Sequence, residues 1–267
     1  LLLLRRVRFL PLLPDRPSDP FAILNPREIW MFTVLGAAIS YAGYIAIKLA
    51  GPTKGILVAS IGGALISSTA VTIAFARRAA NGESTKALAG GAALASMVSI
   101  LRVLAIVGVI APSLLIQLAP GALAGAATFG CLAWLLLRQG LEDAPPAPIS
   151  NPFDLAPLLV FASMFAAIVV FSGWMMSRIG SRGLLVTSGL VSLADVDVAA
   201  MTAARLGGST VDAGTAVSAI LLALAMNAVA RIFYAAAIGP RAYSGWLAIA
   251  TALAIAAGAG AVALAAR

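Results

Sequence analysis

The sequence predicts an all-α integral membrane protein of about eight transmembrane helices, arranged as two tandem, parallel four-helix repeats. Three observations predict it. Hydrophobic residues make up 61% and charged residues 10% of the chain, with a mean hydropathy of +1.02, whereas soluble domains are about one quarter charged. Apolar runs of about 20 to 26 residues recur, each long enough at 1.5 Å per residue to cross a hydrocarbon core of about 30 Å. They fall at 29–50, 55–77, 87–111, 113–137, 155–177, 183–206, 213–238 and 243–266. The third observation is an internal match: Gly55-Ile-Leu-Val-Ala-Ser60 returns 128 residues later as Gly183-Leu-Leu-Val-Thr-Ser188, and the same register pairs Leu65 with Leu193, Arg77 with Arg205 and Pro112 with Pro240.

In chain order, residues 1–28 form a lead-in. Leu1 to Leu4 read as the end of a preceding helix, and a chain that begins at Leu1 reads as a segment of a longer protein. Pro11, Pro14, Pro17, Pro20 and Pro26 prevent a continuous helix here. The first repeat, 29–144, starts behind the cap Asn25-Pro26, with Glu28 favourably placed at the positive end of the helix dipole. The second, 145–267, starts behind the linker Ala144-Pro-Pro-Ala-Pro148 and a similar cap, Asn151-Pro152. Four crossings per repeat is an even number, so both copies should enter the membrane in one orientation. Gly, Ala and Ser along the runs suit close helix contact. If one run were re-entrant, the number would become odd and the second copy would be inverted.

The net charge of +8 reflects topology rather than nucleic-acid binding, because the basic residues sit at helix ends. Eight crossings would put Arg77, Arg78, Lys86, Arg138, Arg205 and Arg267 on the side of the N-terminal arginines, and Lys48, Lys54, Arg178, Arg182 and Arg241 opposite. By the positive-inside rule both ends of the segment are then cytoplasmic. The single cysteine, Cys131, excludes an intramolecular disulfide, and the absence of histidine removes the commonest general base and transition-metal ligand.

The segments Leu12-Leu-Pro-Asp15, Asn25-Pro-Arg-Glu-Ile-Trp30, Gly43-Tyr44, Ser67-Ser-Thr-Ala70 and Gly189-Leu-Val-Ser-Leu-Ala-Asp-Val-Asp197 together resemble an uncharacterised bacterial polytopic membrane domain that is often fused behind an MgtC/SapB domain. The resemblance implies the bacterial cytoplasmic membrane and, as partners besides the lipid bilayer, an MgtC-like domain or a membrane ATPase; further copies of the chain are a separate expected partner. It implies no activity and no cofactor.

Candidate functional residues are the polar ones inside the apolar runs. Ser67, Ser68, Thr69 and Thr72 lie within about two turns of one run. They are either ligands for a dehydrated cation or side chains bonded back to their own helix, and the adjacent Gly62-Gly63 favours a helix break. In the repeat register Ser67 and Thr69 correspond to Asp195 and Asp197. A charge at the bilayer centre costs at least about 2.5–3.5 kcal/mol, so these carboxylates must be paired, protonated, hydrated or ion-bound. On a regular helix an i,i+2 pair points about 200° apart, so both serve one site only where the helix unwinds. Asp195 and Asp197 are also the candidate metal ligands, compatible with Mg²⁺ but equally with Na⁺ or a proton. Arg102 and Arg231, also inside apolar runs, balance the two carboxylates, snorkel to the interface, or contact an anion. Asn227, one turn before Arg231 and in register with Ser99, is their polar neighbour.

Two functions fit. One is a secondary transporter or channel-like carrier of a small ion or solute, with its site between the repeats near the membrane midplane. The other is a membrane scaffold or regulator whose charges are internal pairs. Enzymatic chemistry has no support: both carboxylates lie on one helix, histidine is absent, and no phosphate-binding glycine loop of the P-loop type is present.

Overall fold

The computed structural model describes residues 55–138, 182–193, 195–207 and 210–265, with a few positions between 171 and 180. The expected crossings at 29–50 and most of 155–177, and the repeat boundary near 145, lie outside the described residues. Those residues form seven α-helices: α1 (Gly55–Ala80), α2 (Thr85–Ile110), α3 (Leu115–Leu137), α4 (Arg182–Ser192), α5 (Val196–Leu206), α6 (Ala213–Ile238) and α7 (Arg241–Ala265). A 3₁₀ turn at Pro112–Leu114 joins α2 to α3. The apolar composition and the length of α2, α3, α6 and α7 mark a multi-pass membrane protein.

Chain chemistry sets the helix starts. Ser84 caps α2 by accepting the Ala87 N–H, and Asp212 caps α6 by accepting the Thr215 N–H at 2.8 Å. That bond holds the Asp212 carboxyl below its ordinary pKa. In the turn between α1 and α2, Arg78 Nε donates to Glu83 Oε1 at 2.8 Å, and this hydrogen bond lowers the Glu83 pKa from its usual 4.5. Glu83 therefore stabilises the turn above its unfolded-state pKa and loses that contribution as pH falls through the folded value. The side chain is 37% exposed, so the effect is small, at most about 0.5 kcal/mol. Thermal melts of wild type and Glu83→Gln should differ slightly at neutral pH and converge as pH falls below the lowered folded-state pKa of Glu83.

Two of the expected crossings are helical hairpins instead. α1 has the length of a span, yet Ser67 sits in an extended conformation (φ −159°, ψ 109°) in its middle. A Cβ on Gly91 of α2 would lie 2.6 Å from both Ile56 and Phe75, residues about 28 Å apart on a straight helix. Likewise a Cβ on Gly63 would lie 2.6 Å from Val71 across the break. The arms 55–66 and 68–80 therefore fold back on each other, and only glycine at 63 and 91 leaves room for the closure. The break falls at Ser67 rather than at the expected Gly62-Gly63, whose second glycine serves the close approach instead.

The expected span at 183–206 is divided in the same way. Asp195, extended at φ −149° and ψ 113°, separates α4 from α5. Gly189 faces Leu222 and Met226 of α6, and Ser192 reaches Asn227. By Gly207 the chain is back beside Ala216 and Leu114. It has advanced along α6 and then retreated.

The direction of the helices corrects the parallel arrangement. Gly121 of α3 lies against Val262 and Gly258 of α7, and Gly125 against Ala254, so α3 and α7 run antiparallel. Register-equivalent helices of parallel repeats would run the same way. Both hairpins open at different ends of the bundle. The base of α1 lies at the end carrying the α1–α2 turn, where Gly239 packs on Ala76 and the Lys86 ammonium lies 5.7 Å from the Trp246 ring centre. The base of α5 lies at the opposite end, beside Leu114. The charges are re-sorted accordingly: Arg241 joins Arg77, Arg78, Lys86 and Arg138, while Arg205 and Arg182 lie at the other end. The grouping that made both ends of the segment cytoplasmic does not hold.

Packing follows from these directions. α1 packs on α2 and α6, α5 on α6 and α2, and α7 on α3, α6 and α2. The core is largely alanine, with Phe75, Phe129, Leu118 and Leu184 among its larger members. Small side chains draw the backbones close, as between α3 and α7.

Candidate functional site

The two hairpin tips meet, and α2 and α6 supply the polar side chains that sit against them. Each tip exposes the ends of two helical arms: unpaired carbonyls where the first arm stops and unpaired N–H groups where the second begins. At the second tip, Asp195 Oδ1 satisfies the N–H groups of Asp197 and Val198 at 2.8 and 3.2 Å. At the first tip, the neutral Ser67 hydroxyl accepts from Ala70 at 3.2 Å. The register that pairs Ser67 with Asp195 thus pairs two capping side chains of different charge.

The carbonyl ends are served differently. Arg102 Nη1 donates to the carbonyls of Ala64, Leu65 and Ile66 at 2.9, 3.0 and 3.4 Å, so a guanidinium faces the negative end of the first arm. The same guanidinium crosses to the second tip, with Nη2 2.6 Å from Asp197 Oδ2 and Nε 3.2 Å from Oδ1. This is a bidentate pair between the hairpins. On the second tip the carbonyls of Ser192 and Leu193 accept from neutral donors, Asn227 Nδ2 at 2.7 Å and the Tyr234 hydroxyl at 3.0 Å.

Between the tips lies a cavity of about 100 Å³ lined by Ser67, Ser68, Thr69, Arg102, Asp195, Asp197 and Asn227, with Ile66 and Val196. Seven of the nine candidate residues therefore converge. The other two lie elsewhere. Thr72 Oγ1 donates to the Ser68 carbonyl at 2.9 Å, the back-bonded arrangement open to any helical threonine. Arg231 is 3% exposed and sits one layer from the cavity, with Nη1 3.0 Å from Ser96 Oγ and Nε 3.3 Å from the Asn227 carbonyl. No carboxylate pairs with it among the described residues.

Tyr234 and Tyr243 were not singled out by the sequence. Tyr243 donates to the Thr72 carbonyl at 2.9 Å and ties α7 to the first hairpin. A signal existed: a tyrosine inside an apolar run must place its hydroxyl on an acceptor. A second cavity, apolar and about 500 Å³, lies between α3, α6 and α7 around Phe129, Leu221 and Val262, and none of the candidate residues lines it.

A family model described as a domain of unknown function, DUF4010, matches residues 34–239. The chain belongs to the DUF4010 family. The match covers both hairpins and every residue lining the polar cavity, and it stops at the turn before α7. In this DUF4010 member α7 closes the bundle beyond the match. No curated protein and no solved structure matches the chain.

Proposed function

We propose that this protein is a secondary transporter of a small inorganic ion or proton in the bacterial cytoplasmic membrane, with its site at the meeting of the two hairpin tips. The observation that carries this reading is the convergence of two interrupted helices, broken at Ser67 and Asp195, on one polar cavity. Irregular backbone at membrane depth is tolerated where it is buried or lines a water-filled cavity, and it recurs in transporters where helix ends face an ion.

An inverted internal repeat supports it further. Residues 128 apart adopt the same extended conformation at the two breaks. Exchanging the halves maps the packing of α1 on α6 onto that of α5 on α2. The antiparallel course of α3 and α7, which the 128-residue register pairs, fits halves related by inversion. The hairpin bases then open to opposite faces, the arrangement needed for each tip to shield the site from one side in turn. At about 100 Å³ the cavity is well below the 300 Å³ or more of typical small-molecule pockets, which favours an ion over an organic solute. The reading assigns no bond-making chemistry.

In this mechanism Asp195 is the ion ligand or proton carrier. Asp197 is neutralised by Arg102, and that pair holds the tips together. The hydroxyls of Ser67, Ser68 and Thr69 supply neutral oxygens. A scaffold or regulator of a membrane ATPase would use the same charges only as internal pairs.

The deciding experiment is ion and proton flux in proteoliposomes with Asp195→Asn. Asparagine caps a helix as well as aspartate, so the variant should fold and incorporate normally. Flux is expected in the wild type and to drop at least about tenfold in the variant, about 1.4 kcal/mol or more at the barrier. Absence of wild-type flux across a broad ion panel would favour the scaffold.

A further inference from the structure

Asn227 is 2% exposed, lines the polar cavity, and uses only half of its amide. Its Nδ2 is anchored on the Ser192 carbonyl at 2.7 Å, which fixes which way the amide faces, since only the nitrogen can donate there. Its Oδ1 has no hydrogen-bond partner among the described residues. A buried acceptor left unpaired costs about 1–3 kcal/mol, so the site is built for something that this oxygen receives.

We propose that the cavity takes one monovalent alkali cation, held between the Asp195 carboxylate on the second tip, Asn227 Oδ1 on α6 and the hydroxyl groups of Ser67, Ser68 and Thr69 on the first tip. The proposal rests on reading the tips as a binding site and adds the class of ligand. Oxygen donors select hard ions. Charge selects the valence. The lining holds two carboxylates and one guanidinium, a net charge of −1, which a single positive charge neutralises. Arg231 lies directly behind, on the Asn227 carbonyl, and raises the electrostatic cost of any second positive charge. A divalent ion would also need Asp197, but both of its oxygens are held by Arg102. No group of three or more His, Cys, Asp or Glu side chains that could hold a metal occurs among the described residues.

Arg102 shows how the two tips differ. Its guanidinium is a built-in cation on the carbonyls of the first tip. Among the described residues the corresponding carbonyls of the second tip, at Ser192 and Leu193, receive only neutral donors, and a bound cation would supply positive charge on that side. An anion is disfavoured there, because Asp195 already occupies the N–H groups that would bind it.

The test is thermal unfolding of the purified full chain in detergent, titrated with NaCl, KCl, LiCl or MgCl₂, with choline chloride holding ionic strength constant. At least one alkali cation should raise the midpoint saturably, as a ligand of the folded state does, and MgCl₂ should add nothing beyond choline. Asp195→Asn should weaken the apparent affinity at least about tenfold, corresponding to 1.4 kcal/mol. Asn227→Ser should weaken it too, and Thr72→Val, altered away from the cavity, should keep the wild-type response. No response to any alkali cation, a response to Mg²⁺ alone, or an unchanged alkali response in Asp195→Asn overturns the proposal. Saturable binding without flux would leave it standing and remove the transporter reading. Flux without alkali binding would do the reverse.

Discussion

Replacing Arg102 with alanine is expected to destabilise the protein by about 3–5 kcal/mol, enough to unfold a large fraction of it under mild conditions. The side chains of Arg102 and Asp197 are only 7% and 16% exposed. Removing the guanidinium leaves a carboxylate without its counter-charge at the centre of the bundle. It also strips the donor from the carbonyls of Ala64, Leu65 and Ile66, which the arm's own geometry cannot satisfy. Arg102→Lys should recover only part of the loss, since a point charge cannot make the two-pronged contact to Asp197 and reach the carbonyls as well. Arg102→Ala combined with Asp197→Asn should be less unstable than Arg102→Ala alone, because the second change removes the stranded charge. Unfolding in graded SDS, followed by helix content, measures all four proteins. Equal stability of Arg102→Ala and wild type would mean that the pair does not hold the tips.

The hairpin in α1 makes a prediction of comparable size about distance. Leu57 and Arg77 are exposed positions on its two arms. A straight helix would separate them by about 30 Å at 1.5 Å per residue. With Ile56 and Phe75 both against Gly91, spin labels at Leu57→Cys and Arg77→Cys should instead be separated by well under about 20 Å, even allowing for label length. The exposed native Cys131 is first replaced by serine. Pulsed electron–electron measurements in nanodiscs read the separation directly, and a distribution centred near 30 Å would restore a continuous span. Membrane-impermeant thiol reagents should label both positions from the same face, whereas a span would expose them to opposite faces.

Much of the site was legible in the sequence because polar residues in apolar runs are costly and therefore conspicuous. Asp195, Asp197, Arg102 and Asn227 were all marked that way, and the register that pairs Ser67 with Asp195 pointed to the facing segment. The condition for Asp195 and Asp197 to share a site, local unwinding, is met by the break at Asp195. Thr72 belonged to the same run of hydroxyls but returned to its own helix, a choice set by one turn of rotation that composition does not register. Arg231 looked equivalent to Arg102 along the chain, yet it packs on Ser96 and α6 rather than on a carboxylate.

By itself the sequence determined the membrane environment, the helical class and the residues that carry charge inside the apolar runs, because burial of apolar surface and the cost of buried charge act residue by residue. Tertiary structure decided direction. A run of 25 apolar residues has the same hydropathy whether it crosses the membrane or folds back at its centre. What separates the two is whether glycines such as Gly63 and Gly91 let arms touch, and whether a partner such as Arg102 satisfies the carbonyls that the break exposes. Those conditions involve residues 8 to 38 positions apart, and only the packed bundle brings them together. A break at Ser67 or Asp195 turns an expected crossing back on itself, and α3 and α7, expected to run the same way, run antiparallel.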